Sequence, residues 1–160
     1  MTIIVDASTL INLANGECLL DVLRLPSQIF LISPIVRDES KTAAELVDSL
    51  VATGEIYLID EAIIEAAEFA LAKVAWRLDD GETECIIAAK KLGLLIATDD
   101  GLARERARME LGSTAVTGSI GLIKRAITAG IFDADFGYKA FKKMRAEGGF
   151  LPGLRRCDFD

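Results

Sequence analysis

The chain has 160 residues, a formal net charge of −7 and a hydrophobic content of 51%. This composition excludes a disordered chain and predicts an ordinary globular interior. The acidity argues against a passive nucleic-acid binder, which usually shows a basic footprint, but less against an enzyme whose bound cations offset its carboxylates.

Apolar runs that alternate with helical patterns predict five strands and the helices between them. The predicted strands span residues 2–5, 29–32, 55–59, 94–98 and 115–117. We expect Ser8 to cap the first helix and Ser33-Pro34 to begin a helix that continues to Gly54. Asp60 is expected to cap a long alanine-rich helix that ends near Leu78.

The second half of the chain begins with a turn at residues 79–81. The predicted helices that follow span residues 82–92, 102–111, 119–129 and 136–147. Strands alternating with helices of this length predict an α/β fold, namely a three-layer α/β/α sandwich around a parallel sheet of four to five strands. We expect residues 1–149 to form a single domain and residues 150–160 a C-terminal tail.

The cysteines and the hydropathy pattern favour a soluble, cytoplasmic protein. Cys18, Cys85 and Cys157 form no short-range pair, and Cys85 lies in an apolar helical stretch, so we expect reduced thiols. The chain enters a strand without a basic region, so no signal peptide is expected. No apolar run approaches the roughly 20 residues that span a bilayer, so no membrane contact is expected.

Carboxylates follow two of the predicted strands. Asp6 comes directly after the first strand, and Asp99 and Asp100 follow the fourth. Acids at the carboxyl ends of parallel strands lie where open α/β sheets place their active sites. The alternative for Asp6 is a helix cap, and in the adjacent pair we expect one acid to cap the next helix and the other to point into the site.

Glu39 falls by helical spacing on a largely apolar stripe that includes Val36 and Ala43. A carboxylate on a buried stripe is costly unless it is paired or bound to a metal. The alternative is an ion pair with Arg37 or Lys41 on the solvent side.

Glu84 precedes the apolar run of residues 85–89, and Glu82 stands two residues earlier, facing elsewhere. Acids in the first turn of a helix often do no more than complement the helix dipole, and this is the alternative for Glu84. Glu82 is expected to be a cap or a support for the site.

The chain contains no histidine, so a site built from these acids would bind a cation through oxygen, which Mg²⁺ and Mn²⁺ prefer. Carboxylates within about 5 Å of one another would repel by roughly 3 kcal/mol per pair at an effective dielectric constant of about 20. Our hypothesis is that the acids converge on one site, where a cation activates water and stabilises charge on a phosphate.

Arg104 and Arg108 lie four residues apart on the helix that follows the acidic pair. They are candidates for binding substrate phosphates, and the alternative is a solvated face paired with Glu105 or Glu110. The Gly-x-x-Gly segment at residues 118–121 can cradle an anion at a helix start, but it more often reflects close packing.

The first two acids resemble those of the PIN-domain ribonucleases. Residues 5–11, Val-Asp-Ala-Ser-Thr-Leu-Ile, resemble the opening motif of that family, in which an apolar strand delivers an aspartate. Glu39, 33 residues after Asp6, stands where the second acid of the family is expected.

The later acids extend the resemblance over residues 2–130, most closely to the VapC-like toxin subgroup. Residues 81–89 resemble the helix of the third acid, with Glu84 in place of the usual Asp. Thr98-Asp99-Asp100 resembles the Thr-x-Asp of the fourth acid, which favours Asp100 and leaves Asp99 as the alternate.

The resemblance implies a metal-dependent endoribonuclease that hydrolyses RNA phosphodiester bonds, and the toxin of a toxin–antitoxin pair. Its implied partners are an antitoxin and a second copy in a homodimer. Ser8 and Thr98 would orient ligands or water. The implied Mg²⁺ or Mn²⁺ ligands are Asp6, Glu39, Glu84 and Asp100.

Two other functions remain open from the sequence. A haloacid-dehalogenase-type phosphatase also uses an aspartate after its first strand, but it needs Asp-x-Asp, and here the second position is Ser8. A PIN fold that serves only as a non-catalytic, dimeric interaction module is the other alternative.

Overall fold

The computed structural model describes residues 1–40 and 44–160, and a parallel sheet forms its centre. The strands are β1 (Thr2–Val5), β2 (Ile29–Ile32), β3 (Tyr57–Leu58), β4 (Leu95–Ala97) and β5 (Val116–Thr117). They lie in the order β3-β2-β1-β4-β5, and the five-stranded parallel sheet confirms the predicted α/β class.

Helices cover both faces of this sheet. They are α1 (Ala7–Asn15), α2 (Leu19–Leu23), α3 (Pro34–Glu39), α4 (Ala44–Ala52), α5 (Ala66–Trp76), α6 (Asp80–Leu92), α7 (Gly101–Leu111), α8 (Ser119–Thr128) and α9 (Ala134–Ala146). Helices α1, α2, α8 and α9 contact one another and form one layer. Contacts of α6 with α3, α5 and α7 build the other layer.

The single helix predicted from Ser33 to Gly54 is wrong, because the structure has α3 and α4 instead. Ser40 ends α3: its N–H donates to the Val36 carbonyl at 3.1 Å, and its hydroxyl donates to the same carbonyl at 2.7 Å. A serine side chain that binds a backbone carbonyl in this way competes with helix continuation. Residues 41–43, which include the predicted stripe position Ala43, lie outside the described residues.

The long helix predicted after Asp60 is also corrected. Asp60 caps a 3₁₀ turn (Glu61–Ile63), in which the Ala62 N–H donates to its carboxylate at 2.9 Å. Ile64 is extended, with φ −107° and ψ 116°, so α5 begins only after this break. The predicted turn at residues 79–81 is instead the start of α6, with Asp79 as its N-cap.

β1 forms the centre of the core, and its Ile3 and Ile4 are fully buried. Residues 150–160, set apart as a tail by the sequence, also reach the core through Phe159. Its ring centroid lies 5.6 Å from that of Phe141 on α9. None of the helices within the described residues has both the length and the apolar character needed to cross a membrane.

Candidate active site

The candidate site lies where the sheet reverses its strand order. The chain adds β2 and β3 on one side of β1 and then returns to add β4 and β5 on the other. The carboxyl ends of β1 and β4 are therefore neighbours, and the Asp6 N–H donates to the Ala97 carbonyl at 3.0 Å. Because open α/β sheets bind ligands at such a switch point, Asp6 and residues 98–100 stand at the expected crevice.

Asp6 is a buried carboxylate at the start of α1. It accepts hydrogen bonds from the Thr9 N–H at 2.8 Å and from the Ser8 hydroxyl at 2.8 Å and 2.9 Å to its two oxygens. Burial raises the pKa of Asp6 to about 6, although the Thr98 hydroxyl, Thr9 and Ser8 lower it, and the Asp99 charge raises it further. Asp6 therefore caps α1, and the prediction that Ser8 is the cap is wrong.

The Ser8 hydroxyl joins the ends of the two central strands. While it donates to Asp6, it accepts from the Asp99 N–H at 2.9 Å and from the Asp100 N–H at 3.2 Å. A single hydroxyl thus fixes the turn after β4 against the turn after β1.

Asp99 is bound by three neighbouring donors, and its side chain is 4% exposed. It accepts from the Asn12 amide at 2.8 Å, from the Ser119 N–H at 3.0 Å and from Arg104 Nη2 at 3.3 Å. These four residues, called the Asp99 junction below, tie α1, α7 and α8 to the end of β4. Because a carboxylate has about four acceptor sites, Asp99 keeps about one for another ligand.

Asp100 and Glu82 both bind backbone groups at helix starts. Asp100 caps α7 by accepting from the Ala103 N–H at 2.8 Å, and Glu82 accepts from the Asp79 N–H at 3.1 Å. Burial raises the pKa of Glu82 to about 7, and the charges of Asp100, Asp6 and Asp79 add to this rise. The cap expected of one acid in the 99–100 pair is therefore provided by Asp100.

Glu84 is buried without a full set of partners. It is 6% exposed, and its Oε2 has no hydrogen-bond partner. Burial raises its pKa most, and Glu61 and Glu39 add to the rise, while the nearby Ser33 hydroxyl and Ile35 N–H lower it. A buried carboxylate oxygen without a donor is costly, so this position is not explained by stability.

Glu39 is exposed at the end of α3, so its predicted place on a buried stripe is wrong. Its Oε1 accepts from the Gly81 N–H at 3.3 Å, and a Cβ at Gly81 would lie 2.3 Å from Glu39 Oε2. Glycine is therefore needed for this contact. The alternative pair with Arg37 is also wrong, since Arg37 binds Asp48 at 2.6 Å, and Lys41 lies outside the described residues.

The acids form two neighbouring groups, according to which of their charges raise one another's pKa. The strand-end group is Asp6, Glu82, Asp99 and Asp100, and the helix group is Glu39, Glu61 and Glu84. Both groups act on Cys85, since burial and then the charges of Asp6, Glu84 and Glu39 raise the pKa of its thiol.

A surface pocket of about 300 Å³ opens at the strand-end group and is lined by Glu82, Asp99, Asp100 and Glu147. Its lining contains none of Asp6, Glu39 and Glu84. Across residues 1–40 and 44–160, no three Cys, Asp or Glu side chains are arranged as a ready set of ligands for one ion. The donor chemistry nevertheless fits a hard cation, since both groups are carboxylates and Glu84 Oε2 is buried without a donor.

The two arginines predicted to bind substrate differ in their surroundings. Arg104 donates to the Thr98 carbonyl and to Asp99, so the alternative pair with Glu105 or Glu110 is wrong for it. Arg108 is exposed, and its side chain has no hydrogen bond or ion pair within the described part of the chain.

The Gly-x-x-Gly segment packs closely rather than cradling an anion. A Cβ at Gly118 would lie 2.2 Å from Arg104 Nη2, and one at Gly121 would lie 2.2 Å from Thr117 Oγ1. The N–H of Ser119, at the start of α8, is already bound by Asp99.

The sequence did not identify Asn12, Ser119 or Ser33 as parts of the site. Asn12 gives a weak signal, because it is an amide on the buried face of α1, next to Leu13. Ser119 and Ser33 precede or begin helices and look like ordinary start signals, so only the fold shows which acids they face.

The comparisons with known proteins agree with this fold. The sequence model described as the PIN domain matches residues 2–153 and so includes both acid groups. Searches of curated proteins and of solved structures find no match. PIN domains are typically nucleases. With nearly its whole length matched and the acidic crevice at its switch point, the chain belongs to the PIN-domain family.

Proposed function

We propose that the chain is a metal-dependent endoribonuclease, of the VapC-like subgroup, that hydrolyses RNA phosphodiester bonds. The observation that carries the proposal is the placement of Asp6, buried at the carboxyl end of β1 beside the end of β4, in a chain whose family consists mainly of nucleases. Family membership also argues against the haloacid-dehalogenase-type phosphatase. The chain lacks the second aspartate that such a phosphatase needs, since Ser8 stands at that position.

The proposed cation is Mg²⁺ or Mn²⁺. Its proposed ligands are Asp6, Glu39, Glu84 and Asp100. Glu82 and Asp99 are alternates to these four ligands. When bound, such an ion activates a water and stabilises charge on the phosphate. The oxygen-only donors and the unpartnered Glu84 Oε2 support this choice.

The other side chains of the crevice position the ligands and the substrate. Ser8 holds Asp6 and the turn after β4 in one arrangement, and the Asp99 junction fixes that turn from its other side. The Thr98 hydroxyl faces Asp6 without a hydrogen bond of normal geometry, which leaves it available to orient a ligand or water. Arg104 and Arg108 are the proposed contacts to substrate phosphates.

RNA cleavage by the purified protein tests the proposal. We expect a single-stranded RNA to be cut with Mn²⁺ or Mg²⁺, and cutting to stop with excess chelator. Asp6→Asn should lose at least about 100-fold in rate while α1 stays capped, since asparagine is also a good N-cap. Glu105→Gln, an exposed change on α7, is the control. Equal cleavage by Asp6→Asn would indicate a contaminant and contradict the proposal.

The biological part of the proposal is that the chain is a toxin that forms a homodimer and is held inactive by an antitoxin. Induced expression of the wild type should arrest bacterial growth, and Asp6→Asn should not. Co-expression of a small neighbouring reading frame should restore growth and co-purify with the chain. Equal growth inhibition by both forms would instead favour the non-catalytic interaction module.

A further inference from the structure

A second groove lies beside the acidic pocket. It has a volume of about 450 Å³ and runs between β5, the first turns of α8 and residues 150–154. It shares Asp99 and Phe150 with the acidic pocket, so the two cavities are adjacent. We call it the α8 groove.

The lining of the α8 groove is largely apolar, and its rim carries one aromatic ring. Ile120, Leu151 and Leu154 line it, and the whole of Phe150 is exposed to solvent. A fully exposed phenylalanine at the mouth of an apolar cavity is typical of a binding surface. The cavity is also within the size range of small-ligand sites.

The charge of the α8 groove is opposite to that of the acidic pocket. Its cations are Arg104 and Lys124, and its one carboxylate, within the described lining, is Asp99. Asp99 is already bound by Asn12, Ser119 and Arg104. Lys124 is exposed, its Nζ lies 5.9 Å from the centroid of the Phe159 ring, and it has no carboxylate partner among the described residues, so it can still meet an anion.

We propose that the α8 groove binds one nucleotide of single-stranded RNA next to the phosphodiester that is cut, with its base against Phe150 and a phosphate at Lys124. The inference rests on the proposed nuclease function. An apolar cavity with an exposed aromatic ring suits a base, because every base has a face that stacks on such a ring. An exposed lysine at the same cavity suits the RNA backbone. Because the acidic pocket is adjacent to the groove, a strand bound there leads towards the proposed ligands.

RNA binding without cleavage tests the groove first. The full-length protein is titrated into a fluorescein-labelled single-stranded RNA in excess chelator, and anisotropy gives the dissociation constant. Phe150→Ala should weaken binding about tenfold, and Phe150→Trp should restore it. Lys124→Gln should reduce the slope of log affinity against log salt by about 0.7, and Lys124→Arg should not. The controls are Leu71→Ala and Lys139→Gln, which change exposed residues on α5 and α9.

Photo-crosslinking locates the bound strand. An RNA containing 4-thiouridine should crosslink to the tryptic peptide of residues 146–155, and Phe150→Ala should abolish that crosslink. Crosslinks confined to other peptides would overturn the inference. If Phe150→Ala leaves the RNA affinity unchanged but alters self-association in sedimentation, the groove binds a second copy of the chain. That result would also overturn the inference.

Cleavage kinetics separate the two proposals. With Mn²⁺, Phe150→Ala should raise KM about tenfold and leave kcat within about twofold, because the Phe150 side chain has no group that binds a cation or moves a proton. If the wild type cuts RNA but Phe150→Ala has an unchanged KM, the groove inference alone fails. If the wild type binds RNA through the groove but never cuts it, the nuclease proposal fails and the groove remains.

Discussion

Asp99 and Glu84 are both carboxylates with little exposed surface, yet their hydrogen-bond partners differ. The Asp99 side chain is 4% exposed and has an amide, a backbone N–H and a guanidinium as donors. The residue Glu84 is 6% exposed, and its Oε2 has no donor. The buried charge is thus stabilised by three donors at Asp99 and only in part at Glu84.

This difference separates a structural acid from a candidate ligand. The donors of Asp99 come from three helices, so its charge helps to assemble the fold around the end of β4. Glu84 faces other acids, and its charge is unfavourable unless a cation meets it. Functional sites often carry such local instability, which the rest of the fold supports.

The largest expected effect of a substitution on stability is at Asp99, the acid that helps to assemble the fold. Asp99→Ala should lower the free energy of unfolding by about 3 kcal/mol, because it leaves Arg104 and Asn12 without their buried acceptor. Asp100→Ala, the adjacent acid, should cost only about 1 kcal/mol through the lost cap. Urea unfolding measures both. Equal losses for the two variants would contradict the distinction between the pair.

Gly118→Ala tests the same junction by crowding it. The added Cβ would meet Arg104 Nη2 at 2.2 Å and Asp99 Oδ1 at 2.3 Å. We expect a loss of about 2 kcal/mol, typical of overpacking. Gly101→Ala is the matched control, since a Cβ there meets nothing within 4 Å, and it should change stability by less than about 0.5 kcal/mol. An unchanged free energy of unfolding in Gly118→Ala would contradict the close packing of the Asp99 junction.

The acids with raised pKa values should make the free energy of unfolding depend on pH. Asp6 and Glu82 have pKa values of about 6 and about 7, above their ordinary 3.8 and 4.5. The folded chain therefore binds more protons than the unfolded chain between about pH 4 and pH 7, and these groups lower the free energy of unfolding as the pH rises. Glu82 is only half-buried, so most of the effect comes from the buried Asp6, and the expected size is about 2–3 kcal/mol for both together.

Unfolding by urea across this range, in excess chelator, measures the dependence. Glu82→Gln should flatten the curve relative to the wild type, and the exposed change Glu105→Gln should not. Parallel curves for the wild type and Glu82→Gln would contradict the raised pKa of Glu82.

A smaller effect is expected at Glu84, where a substitution should raise the free energy of unfolding instead of lowering it. Glu84→Gln removes a charge that lies among other acids and whose Oε2 has no donor, so near pH 7.5 it should raise the free energy of unfolding, by less than Asp99→Ala or Gly118→Ala lowers it. The same variant should lose at least about 100-fold in RNA cleavage if Glu84 is a ligand. Thermal unfolding and cleavage rates are measured on one preparation. A variant that is less stable, or fully active, would contradict this role.

The sequence predicted the fold well where the signals are local. The apolar runs gave β1 and β2 with their observed ends, and Gly93 ends α6 as expected. The errors fall where one contact overrides propensity. The side chain of Ser40 ends α3 early, and the extended Ile64 separates a 3₁₀ turn from α5.

The candidate site was predictable only in part. Residues at the strand ends could be placed, because parallel strands bring Asp6 and the 98–100 turn to one edge. The orientation of helix-borne acids could not, since it depends on packing between layers: Glu82 faces Asp6 and Asp100, and Glu84 faces Glu39. The partners of Asp99 come from residues 87 and 20 positions away, which no local pattern reveals.

Counting bound Mn²⁺ by electron paramagnetic resonance tests the cation site most directly. Free Mn²⁺ is titrated with the wild type near pH 8, above the raised pKa values of Asp6 and Glu82, and the loss of its six-line signal reports binding. We predict at least one bound ion that Mg²⁺ displaces, with binding lost in Asp6→Asn and kept in Glu105→Gln. Undiminished binding in Asp6→Asn, or no binding by the wild type, would contradict a cation site in this crevice.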